Sequence, residues 1–246
     1  LDGDDAVIGS PMYAGAHGKA YFFERLAGTW VQMQIELPQD HLSQGRFGSA
    51  AALAGNWALI ASPWLPNGGE VYAYEKQGGA WVYSDTLAPA VPAEFFGQDI
   101  AMDGTRALIG ASQGGSAYVF ELQAGTWTEV ALLEAPDGSM GEFGYSVALD
   151  GDRAVVGQPA EGAGSAYVFQ NTGGSWAVIA QLAEQAGTSS TDRFGNAVAI
   201  SGDRVAVGGP HVWDRGRVRV FEVPQFATPF CFCPVGACAN PAEVSG

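Results

Sequence analysis

Around the middle of the chain Tyr145, Val147 and Leu149 alternate with Ser146 and Ala148, and the run stops at Asp150-Gly151. A period of two predicts a strand, and Asp-Gly directly after it predicts a hairpin turn. The next run, Ala154-Val155-Val156, is apolar at consecutive positions, as expected of a strand covered on both faces. Gly157 and Pro159 end it, a third run spans residues 165–169, and Gly173-Gly174 turns the chain into a fourth that starts at Trp176 and reaches Leu182. The pattern predicts a four-stranded antiparallel meander.

The same pattern recurs along the chain. Third strands read AYFFE from Ala20, VYAYE from Val71, AYVFE from Ala117, AYVFQ from Ala166 and VRVFE from Val218. The turn that follows ends at Trp30, Trp81, Trp127 and Trp176, while a Phe-Gly pair opens the first strand at Phe47, Phe96, Phe143 and Phe194. A period of roughly 50 residues marks a solenoid, propeller or array. Four short strands per period with no helical periodicity select an all-β fold, a β-propeller of four-stranded antiparallel blades.

Residues 1–40 supply strands two to four of a first unit; complete units follow at about 41–90, 91–137 and 138–186, and residues 187–223 supply strands one to three of a last. That is about five blades' worth. The two end units duplicate strands two and three instead of completing one another. Two arrangements stay open, a five-bladed ring with imperfect end blades and a segment of a six- or seven-bladed ring, and the second is favoured. The opening at Leu1, inside a repeat, reads as a truncated or processed N-terminus. Two further expectations concern packing: the Phe-Gly strands lie innermost, where Gly48, Gly97, Gly144 and Gly195 allow close approach at a crowded axis, and the four periodic Trp residues are buried.

Composition changes this picture little. The 35 glycines stand at the same turns in each copy, so they are turn residues and not a sign of disorder. The formal charge of -15 argues against nucleic acid and anionic membrane as partners, since both demand a basic surface. No apolar run approaches the roughly 20 residues that span a bilayer. Residues 224–246 fall outside the repeat pattern and hold Cys231, Cys233 and Cys238. An odd cluster predicts disulfide chemistry in an oxidising compartment, with a partner beyond Gly246. Free thiols remain the alternative, and a metal site would need a fourth ligand that this spacing does not offer.

The units FGSAAALAGNWALIASP, FGQDIAMDGTRALIGAS, FGYSVALDGDRAVVGQP and FGNAVAISGDRVAVGGP resemble the FG-GAP repeat of integrin α-subunit propellers and of many bacterial secreted proteins. The resemblance covers about residues 1–223, with Ala61 and Ser112 as departures from the usual Gly and Pro. It implies an extracellular, secreted or cell-surface setting and a role in adhesion or binding. Integrin-like members carry a calcium loop between strands one and two; here that connection is a tight turn in every unit, and a two-residue turn cannot wrap an ion that takes six to eight oxygens. No cofactor is expected. The Asp residues at these turns read as turn formers.

Candidate chemistry lies where the copies differ. Tyr13, His17, Trp64, His211, Trp213 and Asp214 occupy the connections between strands two and three, which gather on one face, so this face is the predicted site for a protein or glycan ligand. The same aromatics also suit loop plugs packed against neighbouring blades. His41 lies in an inter-blade connection, as do the acidic residues Asp40, Glu94, Asp137, Glu142 and Asp192. The leading expectation is a non-catalytic extracellular binding or scaffold module. A polysaccharide-acting hydrolase with a central pocket is the alternative from another class, and would need two converging carboxylates. A purely structural spacer is the third.

Overall fold

A computed structural model describes residues 1–38, 45–183, 192–210 and 216–223, and these form eighteen strands and no helix. The first blade is β1 (Asp5–Ser10), β2 (Lys19–Leu26) and β3 (Thr29–Glu36). The second is β4 (Ala51–Ala54), β5 (Trp57–Ser62), β6 (Glu70–Gln77) and β7 (Ala80–Leu87). β8 (Phe96–Asp103), β9 (Arg106–Ala111), β10 (Ser116–Gln123) and β11 (Thr126–Glu134) make the third. β12 (Val147–Asp150), β13 (Arg153–Gln158), β14 (Ser165–Thr172) and β15 (Ser175–Ala183) make the fourth, and β16 (Ala197–Ser201), β17 (Arg204–Gly209) and β18 (Arg217–Glu222) the fifth. Each blade is a separate antiparallel sheet with its strands in chain order.

The first strands β4, β8, β12 and β16 touch one another in series, while the fourth strands β3, β7, β11 and β15 meet much less, so the blades fan outward from an inner edge. Phe-Gly is at that inner edge as expected, but three of the four pairs stand just ahead of the regular strand, and two of them, at Phe47 and Phe194, form parallel bridges to Gly18 and Gly164 of the preceding blade. Crowding at Gly48, Gly144 and Gly195 comes mainly from the preceding blade's backbone, and at Gly97 from its Ala61 and Val71 side chains: a Cβ on Gly195 would stand 2.0 Å from the Ser165 carbonyl oxygen, and one on Gly144 2.2 Å from that of Ser116. Each glycine also has a positive φ, between 86° and 94°.

Apolar cores lie between consecutive blades. The second blade offers Leu59, Ala61, Val71 and Ala73, and the third answers with Ala107, Ile109, Tyr118 and Phe120. Equivalent positions build the joints on either side. The second strands are therefore covered on both faces in the interior blades: β13 is buried along its whole length. Trp81 and Trp127 are buried and Trp176 half-buried, but Trp30 is 41% exposed, contrary to expectation. It faces away from the second blade, on the side where the first blade has no described neighbour.

At the face formed by the short turns, polar contacts stitch three of the four joints between described blades. Asp2, Asp103 and Asp150 accept hydrogen bonds from the backbone N–H of Gly55, Gly151 and Gly202 in the following blade. The residue opening each second strand also reaches forward. Asp5 pairs with Lys76 at 2.7 Å, a bond that pushes the Lys76 ammonium above the usual lysine range, and Trp57 packs edge-on against Trp127. Arg106 donates to the Gly151 carbonyl and Asp152, while Arg153 donates to the carbonyls of Gly202 and Val223 and to Asp203. The turn carboxylates thus do more than shape turns.

Candidate functional site

On the opposite face, the connection between strands two and three of one blade is zipped to the segment ahead of Phe-Gly in the next. Arg46 and Phe47 donate their N–H groups to the carbonyls of Ala16 and His17, Phe96 to Gly68, and Phe194 to Ala163. The residue before each Phe-Gly pair, namely Arg46, Phe95, Glu142 and Arg193, sits in the left-handed region with φ of 56°, 62°, 59° and 49°. Arg, Phe and Glu side chains thus share one backbone state, set between the preceding blade's loop on one side and a glycine on the other.

Trp64 is fixed by two of these residues. The Arg46 guanidinium lies 3.8 Å from its ring centroid, and Phe95 meets it edge-on at 4.6 Å between centroids. Although gripped in this way it stays 45% exposed. Tyr13, in the first blade, is 47% exposed and carries the Lys19 ammonium 3.7 Å from its ring centroid. Cations over aromatic rings contribute about 0.5–1 kcal/mol at exposed sites and hold the ring in place. His17 is half-buried, and its carbonyl accepts from Phe47, so its backbone has a structural task. His41, His211, Trp213 and Asp214 lie outside the described residues, as do Asp40, Cys231, Cys233 and Cys238.

The structure therefore puts Tyr13 and Trp64 on one face, each under a cation that the aromatic pattern alone did not mark. Arg46 and Phe95 had one available signal, their place immediately before Phe-Gly. The acidic residues of the inter-blade connections serve different ends. Glu142 pairs with Arg193 across two blades. Asp137 caps Ser139 and accepts from the Tyr167 hydroxyl; burial raises its carboxyl, but these hydrogen bonds outweigh it and hold it below the usual carboxylate range. Glu94 is exposed.

On the inner strand β8, Asp99 accepts from the N–H of Ile100 and, across the joint, from that of Val147, so both oxygens are engaged. Burial raises its carboxyl against the pull of these two bonds. Among the described residues no three His, Cys, Asp or Glu side chains come together in a way that could hold a metal ion.

Separate antiparallel blades in chain order, joined face to face around an inner row of first strands, define a β-propeller architecture. Residues 127–169 and 176–221, in the third to fifth blades, match the model of the FG-GAP repeat. No curated protein matches the chain. Solved structures share the fold at low identity. A candidate 6-phosphogluconolactonase from Bacteroides uniformis superposes with a TM-score of 0.59 at 14% identity, over 91% of this chain and 69% of that one. A functionally unknown protein from Desulfotomaculum acetoxidans does so with a TM-score of 0.60 at 15% identity, over 85% of this chain and 60% of that one.

Proposed function

We propose that this FG-GAP propeller module is a non-catalytic binding or scaffold unit that takes a protein or glycan ligand on the face carrying Tyr13, His17 and Trp64, with His211, Trp213 and Asp214 contributing from the same connection of the fifth blade. The observation that carries the reading is Trp64: a large ring clamped between Arg46 and Phe95 yet 45% exposed is a preformed flat apolar surface. Holding an aromatic side chain rigid before contact lowers the entropic cost of association, and such rings stack on sugars or fill pockets in proteins. The opposite face offers short turns whose carboxylates and guanidinium groups are already committed to neighbouring blades.

An enzyme is the competing reading, either the polysaccharide hydrolase weighed from the sequence or a lactonase, the latter suggested by the name of one fold neighbour. The engagement of both Asp99 oxygens by backbone N–H groups counts against a general acid or base at that inner position. The test is a screen of the full chain against glycans and extracellular proteins, run beside lactone and polysaccharide hydrolysis assays. On a hit, Trp64→Ala and Tyr13→Ala are expected to weaken binding tenfold or more, an anchor being worth about 2 kcal/mol. Asn56→Ala, in a turn of the opposite face, is expected to leave it unchanged. Turnover of a lactone or glycan, or binding that survives both aromatic truncations, would rule the proposal out.

A further inference from the structure

The joints between described blades draw on three recurring parts, present at four, three and two of the four joints, and the outer face of the fifth blade presents the giving half of each with nothing described against it. The first part is an apolar pair on the third strand. Ala20 and Phe22, Val71 and Ala73, Ala117 and Val119, and Ala166 and Val168 are all 0% exposed, whereas their counterparts Val218 and Val220 are 71% and 65% exposed. The second is a glycine over which the next blade's Phe-Gly carbonyl closes. A Cβ on Gly9, Gly110 or Gly157 would stand 1.9, 2.0 or 2.0 Å from the carbonyl oxygen of Gly48, Gly144 or Gly195, but on Gly208 it would meet nothing within 3.7 Å. The third is the forward-reaching guanidinium. Arg106 and Arg153 each grip a Gly-Asp turn in the next blade, while the Arg204 side chain is 74% exposed and has among the described residues only Glu222 of its own blade, 4.0 Å away.

We propose that this face is one half of a blade joint and that its occupant is a further unit of the same repeat. The unit opens on a Phe-Gly pair whose glycine carbonyl packs over Gly208, covers Val218 and Val220, and presents a Gly-Asp turn to Arg204. The support is continuity with the four described joints, all of which bury the apolar pair, three of which close over the glycine and two of which use the guanidinium, together with the greater length of the structures that share the fold, of which this chain spans 69% and 60%.

The test joins a duplicate of residues 138–186, a complete unit with Phe143-Gly144 and Gly151-Asp152, to the end of the full chain. Residues 224–246 then serve as the connector, with a reach of up to about 75 Å when extended. Hydrogen exchange and the thermal midpoint are compared with and without the added unit. On docking, amides of β17 and β18 are expected to exchange at least about tenfold more slowly and the midpoint to rise by several degrees. Val218→Asp, neutral in the original chain, is expected to cancel both gains in the extended one, and Arg204→Gln to cancel part of them. Unchanged exchange in β17 and β18 overturns the proposal, as does a gain that survives Val218→Asp. An added unit whose own amides stay unprotected overturns it too, because the face has then failed to take a unit carrying every part. Reversible self-association of the unextended chain, abolished by Val218→Asp, would transfer the face to a second copy instead.

Discussion

At the scale of single residues, backbone conformation sets the strictest demands. Ala124 adopts φ of 50° in the turn between β10 and β11, where the equivalent positions in the second and fourth blades are Gly78 and Gly173. An L-residue with a plain methyl side chain is disfavoured there, whereas Asn tolerates the left-handed region and leads the favoured two-residue hairpin turns. Ala124→Asn is therefore expected to raise stability by about 0.5 kcal/mol, or one to two degrees in the midpoint, by calorimetry. Gly195→Ala has the opposite sign: its methyl would collide with the Ser165 carbonyl at φ of 94°, and a loss of about 3 kcal/mol or more is expected on urea unfolding.

Ionisation gives a third check at this scale. Burial and the nearby Asp137 carboxylate push the Tyr167 phenol up to about 12. A raised pKa in the folded state means that the stability from neutral Tyr167 is intact below the unfolded value near 10 and is lost as pH rises through about 12. Absorbance titration of phenolate should show a tyrosine ionising at about 12 whose contribution is lost in Tyr167→Phe. Little of this was legible in the sequence. The turn glycines stood out, but nothing in Arg46, Phe95, Glu142 or Arg193 announces a shared left-handed backbone, because the cause lies in the neighbouring blade.

Among the elements, strand order, turn positions and the pairing of aromatic third strands with Trp-bearing fourth strands were readable from periodicity alone. The bulge that recurs between the third and fourth strands, at Phe22/Phe23, Ala73/Tyr74, Val119/Phe120 and Val168/Phe169, was not, since an extra residue in a ladder leaves no mark in an alternating pattern. The links across the turn face were also hidden: an Asp that shapes its own turn looks the same as one that also bonds the next. Their energetic weight can be measured by contrasting two equivalent arginines. Arg153 is 5% exposed and satisfies the Val223 carbonyl, so Arg153→Leu leaves that acceptor without its donor and is expected to cost about 2–3 kcal/mol. Arg204→Leu in the chain as it stands is expected to change stability by no more than about 0.5 kcal/mol. Equal effects in chemical denaturation would show that the joint contributes little.

For the whole molecule, a row of blades that each touch only their neighbours behaves as a one-dimensional array. Blades two, three and four have a partner on both faces, while the first and fifth expose large apolar side chains such as Ile8, Trp30, Val218 and Val220. Hydrogen exchange is accordingly expected to be slowest in β9, β10, β13 and β14 and fastest in β1 to β3 and β16 to β18; uniform protection would contradict it. The fold at this scale was legible because repetition multiplies a weak local signal. The proposed binding face was legible only in part, since Tyr13 and Trp64 break the period visibly while the cations over them do not.

The joints also have a direction, each blade reaching forward into the turn of the next. A gene segment duplicated in whole periods therefore brings a donor at one end and its acceptor at the other, wherever in the period the break falls. The third and fourth blades, which meet their successors through Arg and Gly-Asp, are interchangeable links in this sense. The second blade meets its successor through Trp57 and Trp127 instead. Trp127 and Trp176 hold the same place in the repeat, and Arg106 already lies 5.5 Å from the Trp176 ring, so Trp57 would find an indole in either successor and the second unit too is expected to tolerate a change of neighbour.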